Sequence, residues 1–119
     1  MADEIKLNVG LRASKSTLQV EPTNITDSFD MSGTDYCSGT QIIGTAEEAI
    51  TIGEITTPGY VLLQNLDAAI NITVVFVTGQ TNGILLEPGG FCLFKKSTTG
   101  LFAFSASGSP ALKKVILEA

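Results

Sequence analysis

The 119-residue chain contains no histidine and no tryptophan, only two cysteines and two tyrosines, and charged residues make up just 16% of it. Each shortage closes a class of function. Without imidazole, the Ser-His-Asp and Cys-His nucleophile arrangements are out of reach, as is a histidine-ligated metal centre. Two cysteines fall short of the four N or S ligands that a structural zinc takes. No apolar run approaches the ~20 residues needed to span a bilayer, so the positive mean hydropathy of +0.30 does not mark a membrane anchor. The opening Met1-Ala2-Asp3-Glu4 is acidic and lacks the basic start of a secretory signal. Soluble domains usually carry about 25% charged residues. A chain this poor in charge is expected to bury part of its surface against other molecules, in an oligomer or on a larger scaffold.

The net charge of −5 is unevenly spread. Nine of the acids fall in residues 1–54 against Lys6, Arg12 and Lys15, whereas residues 55–119 carry Asp67, Glu87 and Glu118 against Lys95, Lys96, Lys113 and Lys114. No basic stripe exists to neutralise a row of phosphates, so nucleic acid is not an expected partner. The lysine pairs read as solvated strand ends guarding sheet edges. Cys92, between Phe91 and Leu93, reads as a small buried hydrophobe, and Cys37 as part of a Ser/Gly/Thr-rich loop. Free thiols are expected, with a Cys37–Cys92 disulfide as the alternative.

What is present is strand and turn signal. Ile5, Leu7, Val9 and Leu11 alternate with Lys6, Asn8, Gly10 and Arg12, the period of a strand with one dry face. A second short strand, Thr17–Val20, is expected to stop at Glu21-Pro22, and Asn24–Met31 alternates again. Met31–Thr40 reads as a surface loop. The strongest stretch is Thr57–Val77, two strands, Tyr60–Leu66 and Ile70–Val77, joined as a hairpin through Asp67-Ala68-Ala69. Its second arm is apolar on both faces, which predicts a central strand covered on both sides, one cover being a partner. Asn82-Gly83 suits the positive φ of a tight turn, Glu87-Pro88-Gly89-Gly90 a further turn, and Phe91–Lys95, Leu101–Ala106 and Leu112–Leu117 further strands. The chain is therefore expected to be all-β: a single-domain antiparallel β-sandwich or jelly roll of about eight to ten short strands over 1–119, with 1–15 as an extended N-terminal arm or strand.

Chemistry is hard to place on this pattern. Glu47-Glu48 are the obvious paired carboxylates, but neighbours on a strand point to opposite faces. Asp30-Met31-Ser32-Gly33-Thr34-Asp35 has oxygen donors without the spacing of a calcium loop. Tyr36 and Tyr60 are the only aromatics to consider for sugar stacking, the six phenylalanines falling in core-like positions. No enzyme, no cofactor and no metal are expected.

Three segments, P-G-Y-V-L-L-Q-N-L-D (58–67), L-L-E-P-G-G-F-C-L-F (85–94) and L-F-A-F-S-A-S-G-S-P-A-L-K-K-V-I-L-E (101–118), resemble in their order small virion proteins of tailed bacteriophages. There a G-[YW]-x-x-x-x-N-L-D strand-turn precedes an L-x-P-G-x hairpin, an L-[YF]-A-x-[AS] strand and an I-L-E-like terminus. The likeness covers residues 53–119 and rests on turn and strand signatures that carry no chemistry. It implies a structural virion protein, a capsid cement (decoration) protein on the capsid outer surface, assembled in the host cytoplasm. Such a protein binds the phage major capsid protein and associates with itself as a dimer or trimer. The alternative it implies is a tail- or fibre-associated module recognising a host-surface glycan or protein. The contact residues expected on this reading are Ile5, Leu7, Val9, Leu11, Tyr36, Val75 and Val77.

Overall fold

The computed structural model describes residues 5–30, 35–55, 58–95 and 100–118. The chain divides into two compact units, 1–32 and 33–119, each described by itself. The first unit is a two-stranded antiparallel ribbon of β1 (Ile5–Lys15) and β2 (Leu18–Phe29). Its connection is the pair Ser16-Thr17, with Ser16 at φ 54°, the positive φ that a two-residue hairpin turn demands. β2 does not stop at Glu21-Pro22 as expected. The register jumps there, from Leu11 opposite Thr23 to Ala13 opposite Val20, leaving the extra residue in a bulge. Proline has no N–H to give a ladder, and a bulge is one of the few strand positions that needs none.

The second unit holds eight strands in two four-stranded sheets. They are β3 (Tyr36–Ile42), β4 (Glu48–Ala49), β5 (Pro58–Asn65), β6 (Ile72–Val75), β7 (Ile84–Leu86), β8 (Phe91–Lys95), β9 (Phe102–Ser105) and β10 (Ala111–Glu118). One sheet runs β3-β10-β5-β8 and the other β4-β9-β6-β7, all pairs antiparallel. Four of the pairings nest: β3 with β10, β4 with β9, β5 with β8 and β6 with β7. The chain is thus one long hairpin with its tip at 76–83, rolled up so that β10 meets β5 and β9 meets β6. This is the jelly roll, the all-β sandwich that the strand and turn spacing predicts.

The pleat puts alternate residues of each strand inside. Val61 and Leu63 of β5, Leu112 and Ile116 of β10, Ile72 and Val74 of β6 and Ala103 of β9 meet between the sheets, joined by Ile43, Ile50, Ile55, Leu86 and Leu101. Fully burying one such leucine or isoleucine contributes about 1.5–3 kcal/mol, so this cluster is the main source of stability in the second unit. Phe76 and Phe94 pack edge to face at 5.4 Å between centroids.

Three local expectations change. Tyr60–Leu66 and Ile70–Val77 are not a hairpin, because β5 and β6 belong to opposite sheets and the segment between them crosses the sandwich. β7 and β8 likewise part across Glu87-Pro88-Gly89-Gly90, where Gly90 N–H donates to the Glu87 carbonyl at 2.7 Å and Gly89 takes φ 78°. Within the expected loop Met31–Thr40, Tyr36–Thr40 lie in the edge strand β3, laid against β10 from Tyr36–Leu117 to Ile42–Ala111; residues 31–34 lie outside the described part. Cys-Ser-Gly-Thr has little strand propensity of its own, and the ladder to a central neighbour overrides it.

Candidate functional site

The signature N-L-D is where the sandwich is tied together. Asn65 closes β5 and is fully buried, with every polar group of its side chain used. Its amide donates to the carbonyl oxygens of Ile70 at 2.7 Å and of Leu86 at 2.9 Å, and its own carbonyl accepts from Asp67 N–H at 2.9 Å. The Asp67 carboxylate then accepts from the N–H groups of Ala69 and Ile70, both at 2.8 Å. Asn and Asp suit these positions because a short side chain can stand in for the next backbone partner of a turning chain. The motif is therefore an architectural knot between the sheets.

A second polar cluster lies on the inner side of β3 and β10. Lys114 is buried, and its ammonium donates to the Thr51 carbonyl at 2.7 Å, to the Thr51 hydroxyl and to the Gln41 side-chain oxygen at 3.2 Å. Gln41 accepts from Thr51 N–H at 3.0 Å and donates to Glu48 at 3.1 Å and to the Ala49 carbonyl at 3.0 Å. The other Glu48 oxygen accepts from Gly44 N–H at 3.2 Å, while Glu47 accepts from Gly79 N–H at 3.1 Å. Each member of the Glu47-Glu48 pair thus braces a different loop. Among the described residues no three His, Cys, Asp or Glu side chains gather as a metal site, and Asp30–Asp35 falls partly outside those residues.

Cys37 and Cys92 sit on β3 and β8, the two edges of one sheet. Three strand spacings of ~4.8 Å put them about 14 Å apart, twice the ~7 Å that a disulfide allows between Cα atoms, so both are free thiols. Burial pushes the Cys92 thiol up to about 11, against a small lowering by the Leu63 backbone.

What remains is surface. The residues expected to make contacts separate into three groups. Leu11 is 69% exposed and Val9 38% on β1, with Leu7 half-buried and Ile5 only 4% exposed. Tyr36, on the β3 edge, is 68% exposed, and Val77 stands out just past β6. Val75 corrects the expectation, because it is completely covered. Gly83 packs against its side chain, so the chain itself covers this position of β6. Sequence reasoning missed the outer face of the β3-β10-β5-β8 sheet. There Val115 lies between Ser38 and Leu62, Leu62 is followed by Leu93, and one step along, Lys113 lies between Thr40 and Gln64 with Phe91 beyond. Phe91 is 67% exposed and Leu62 is exposed as well. Lys95 places its ammonium 5.9 Å from the Tyr60 ring centre on the same face. The signal was present: Y-V-L-L in β5 and V-I-L in β10 are apolar at every position, the two-faced pattern that drew attention to β6 alone.

No protein-family model, no curated protein and no solved structure matches this chain.

Proposed function

We propose that the protein is a structural assembly subunit of a tailed-phage virion, a capsid cement protein that binds and stabilises the shell of the major capsid protein. The observation that carries the reading is the first unit. A ribbon of two strands is marginal in water by itself, yet this one keeps Val9, Leu11 and Ile25 exposed. Apolar side chains held out on a ribbon without a core of its own suit a subunit whose contacts are completed by other molecules. The jelly roll is compatible with this role without selecting it, since the same architecture serves lectins and cupins. The family resemblance of residues 53–119 supplies the virion context. Such a subunit works by area: contacts of about 1,000 Å² or more, repeated over symmetric copies, hold neighbouring shell proteins together.

Purified protein mixed with empty shells lacking it tests the proposal. Co-sedimentation with the shells, and a rise in the temperature at which they come apart, is the expected result. No association with shells, together with binding to host cells, would overturn it in favour of a tail- or fibre-borne module.

A further inference from the structure

We infer that Lys114 and Gln41 join in an intramolecular isopeptide bond, formed without an external enzyme and with Glu48 as the proton carrier. The register of β3 on β10 sets Gly39 opposite Lys114 and Gln41 opposite Leu112, so the two side chains are diagonal neighbours on one face of the sheet. That face is the inner one, since Leu112 and Ile116, two residues to either side of Lys114, are fully buried. A buried ammonium is normally matched by a carboxylate. The three acceptors that Lys114 meets are neutral instead: the Thr51 carbonyl, the Thr51 hydroxyl and the Gln41 side-chain oxygen. An amine held against an amide carbonyl is a nucleophile beside its electrophile.

The Gln41 amide is gripped as acyl transfer requires. Its oxygen accepts from Thr51 N–H at 3.0 Å and from the Thr51 hydroxyl at 3.2 Å, two donors placed where negative charge develops. Its nitrogen, the leaving group, donates to Glu48 at 3.1 Å and to the Ala49 carbonyl at 3.0 Å. Gly44 N–H holds the second Glu48 oxygen at 3.2 Å. Lys114 Nζ is 3.2 Å from the amide oxygen, and a C=O bond of about 1.23 Å then puts it within about 4.4 Å of Cδ. A shift of about 1 Å, within reach of the lysine's terminal torsions, brings it to the ~3–3.5 Å of an attack geometry.

Glu48 takes one proton from the ammonium, and the free amine attacks Cδ, pushing the C=O electron pair onto the oxygen that Thr51 holds. Both nitrogens then sit on one carbon, so the same carboxyl group hands its proton to Nε2 and takes a second from Nζ. The oxygen's pair returns, the Cδ–Nε2 bond breaks, and ammonia leaves with that second proton as ammonium. A lysine ammonium and a glutamine amide thus become a secondary amide and an ammonium ion, with no oxidant, cofactor or further reactant. The bond locks β3 to β10, the first and last strands of the second unit, across 73 positions of the chain. The chemistry lies wholly within that unit and does not rest on the virion reading, so either can fail alone.

The test is the intact mass of the full chain by electrospray mass spectrometry, followed by peptide mapping. Folded wild type is expected about 17 Da, one ammonia, below the mass its sequence gives. A tryptic digest then contains a branched peptide in which Lys114 is joined to Gln41. Lys114→Arg, which keeps the cation, and Glu48→Gln, which keeps the side-chain shape, are expected at full mass with an unchanged β circular-dichroism signal. Wild type that keeps its full mass through incubation just below its melting temperature overturns the inference. A loss of ammonia that persists in Lys114→Arg, or that maps to another residue, also overturns it, as does cross-linking of Glu48→Gln at the wild-type rate. Should Glu48→Gln lose its circular-dichroism signal, Glu48→Asp, whose carboxylate is drawn back from Nε2, is read for a slower approach to the linked mass.

Discussion

The side-chain amide of Asn65 donates to the Leu86 carbonyl at 2.9 Å, joining the end of β5 in one sheet to the end of β7 in the other. Asn65→Ala leaves the buried Leu86 carbonyl, the Ile70 carbonyl and Asp67 N–H without their partners. Orphaned buried groups cost ~1–3 kcal/mol each, and partial rescue by water brings the expected loss to about 3 kcal/mol. Urea unfolding followed by circular dichroism measures it. A loss below about 1 kcal/mol would show that Asn65 is not the knot described.

Gly83 is needed for space. A Cβ there would strike the Val74 carbonyl oxygen and the Val75 side chain. The positive φ expected at Asn82-Gly83 is found instead at Gly79, φ 85°. Gly83→Ala is expected to destabilise by about 2–4 kcal/mol through overpacking, whereas Gly89→Ala meets no atom and suffers only from its φ of 78°, about 1 kcal/mol. Thermal melts of the two variants check the order, and equal effects would contradict it.

Ser16 holds φ 54° in the ribbon turn, a conformation that costs a non-glycine residue about 1 kcal/mol. Ser16→Gly removes the strain at some cost in unfolded-state entropy, and a net gain of about 0.5 kcal/mol is expected in the ribbon. Slower amide hydrogen exchange across β1 and β2 is the readout, with exchange in the jelly roll unchanged.

In the chain before cross-linking, Gln41 and Lys114 share one network but not equal weight. Lys114→Met deprives the Thr51 carbonyl of a donor at a residue that water reaches, so a change within about 1 kcal/mol is expected. Gln41→Ala unpairs Glu48, Ala49 and Thr51 together, and about 2 kcal/mol is expected. Chemical denaturation of the pair reverses this account if Lys114→Met proves the more damaging.

Cys92 gives the pH dependence. In the unfolded chain the thiol ionises at its ordinary 9.0, in the fold at about 11. The unfolded state therefore sheds the proton first, and stability falls as pH rises through that window, with no contribution from this group below it. Iodoacetamide modification of native Cys92 should rise with a midpoint near 11, and near 9 once unfolded. Coincident midpoints would remove burial as the cause.

Much of the fold is legible in the residues themselves. Alternation in Ile5–Leu11, the β-branched runs of β5, β6 and β10, and the Pro-Gly turns set strand positions to within a few residues, because pleat period and turn chemistry are local properties. Partners are not local. Nothing in 58–77 tells whether two adjacent strands pair or part, and the decision falls to Asn65, whose amide finds Leu86 twenty-one residues on. Tyr36–Ile42 becomes a strand only because β10 offers a ladder, and Val75 loses its place as a contact only because Gly83 folds over it. The chain alone thus determined that it would be all-β, poor in charge and without imidazole chemistry. Tertiary structure decided which apolar positions were spent on the core and which, along β1 and across Val115–Leu62–Leu93, stayed at the surface, since burial depends on neighbours that only long-range pairing brings together.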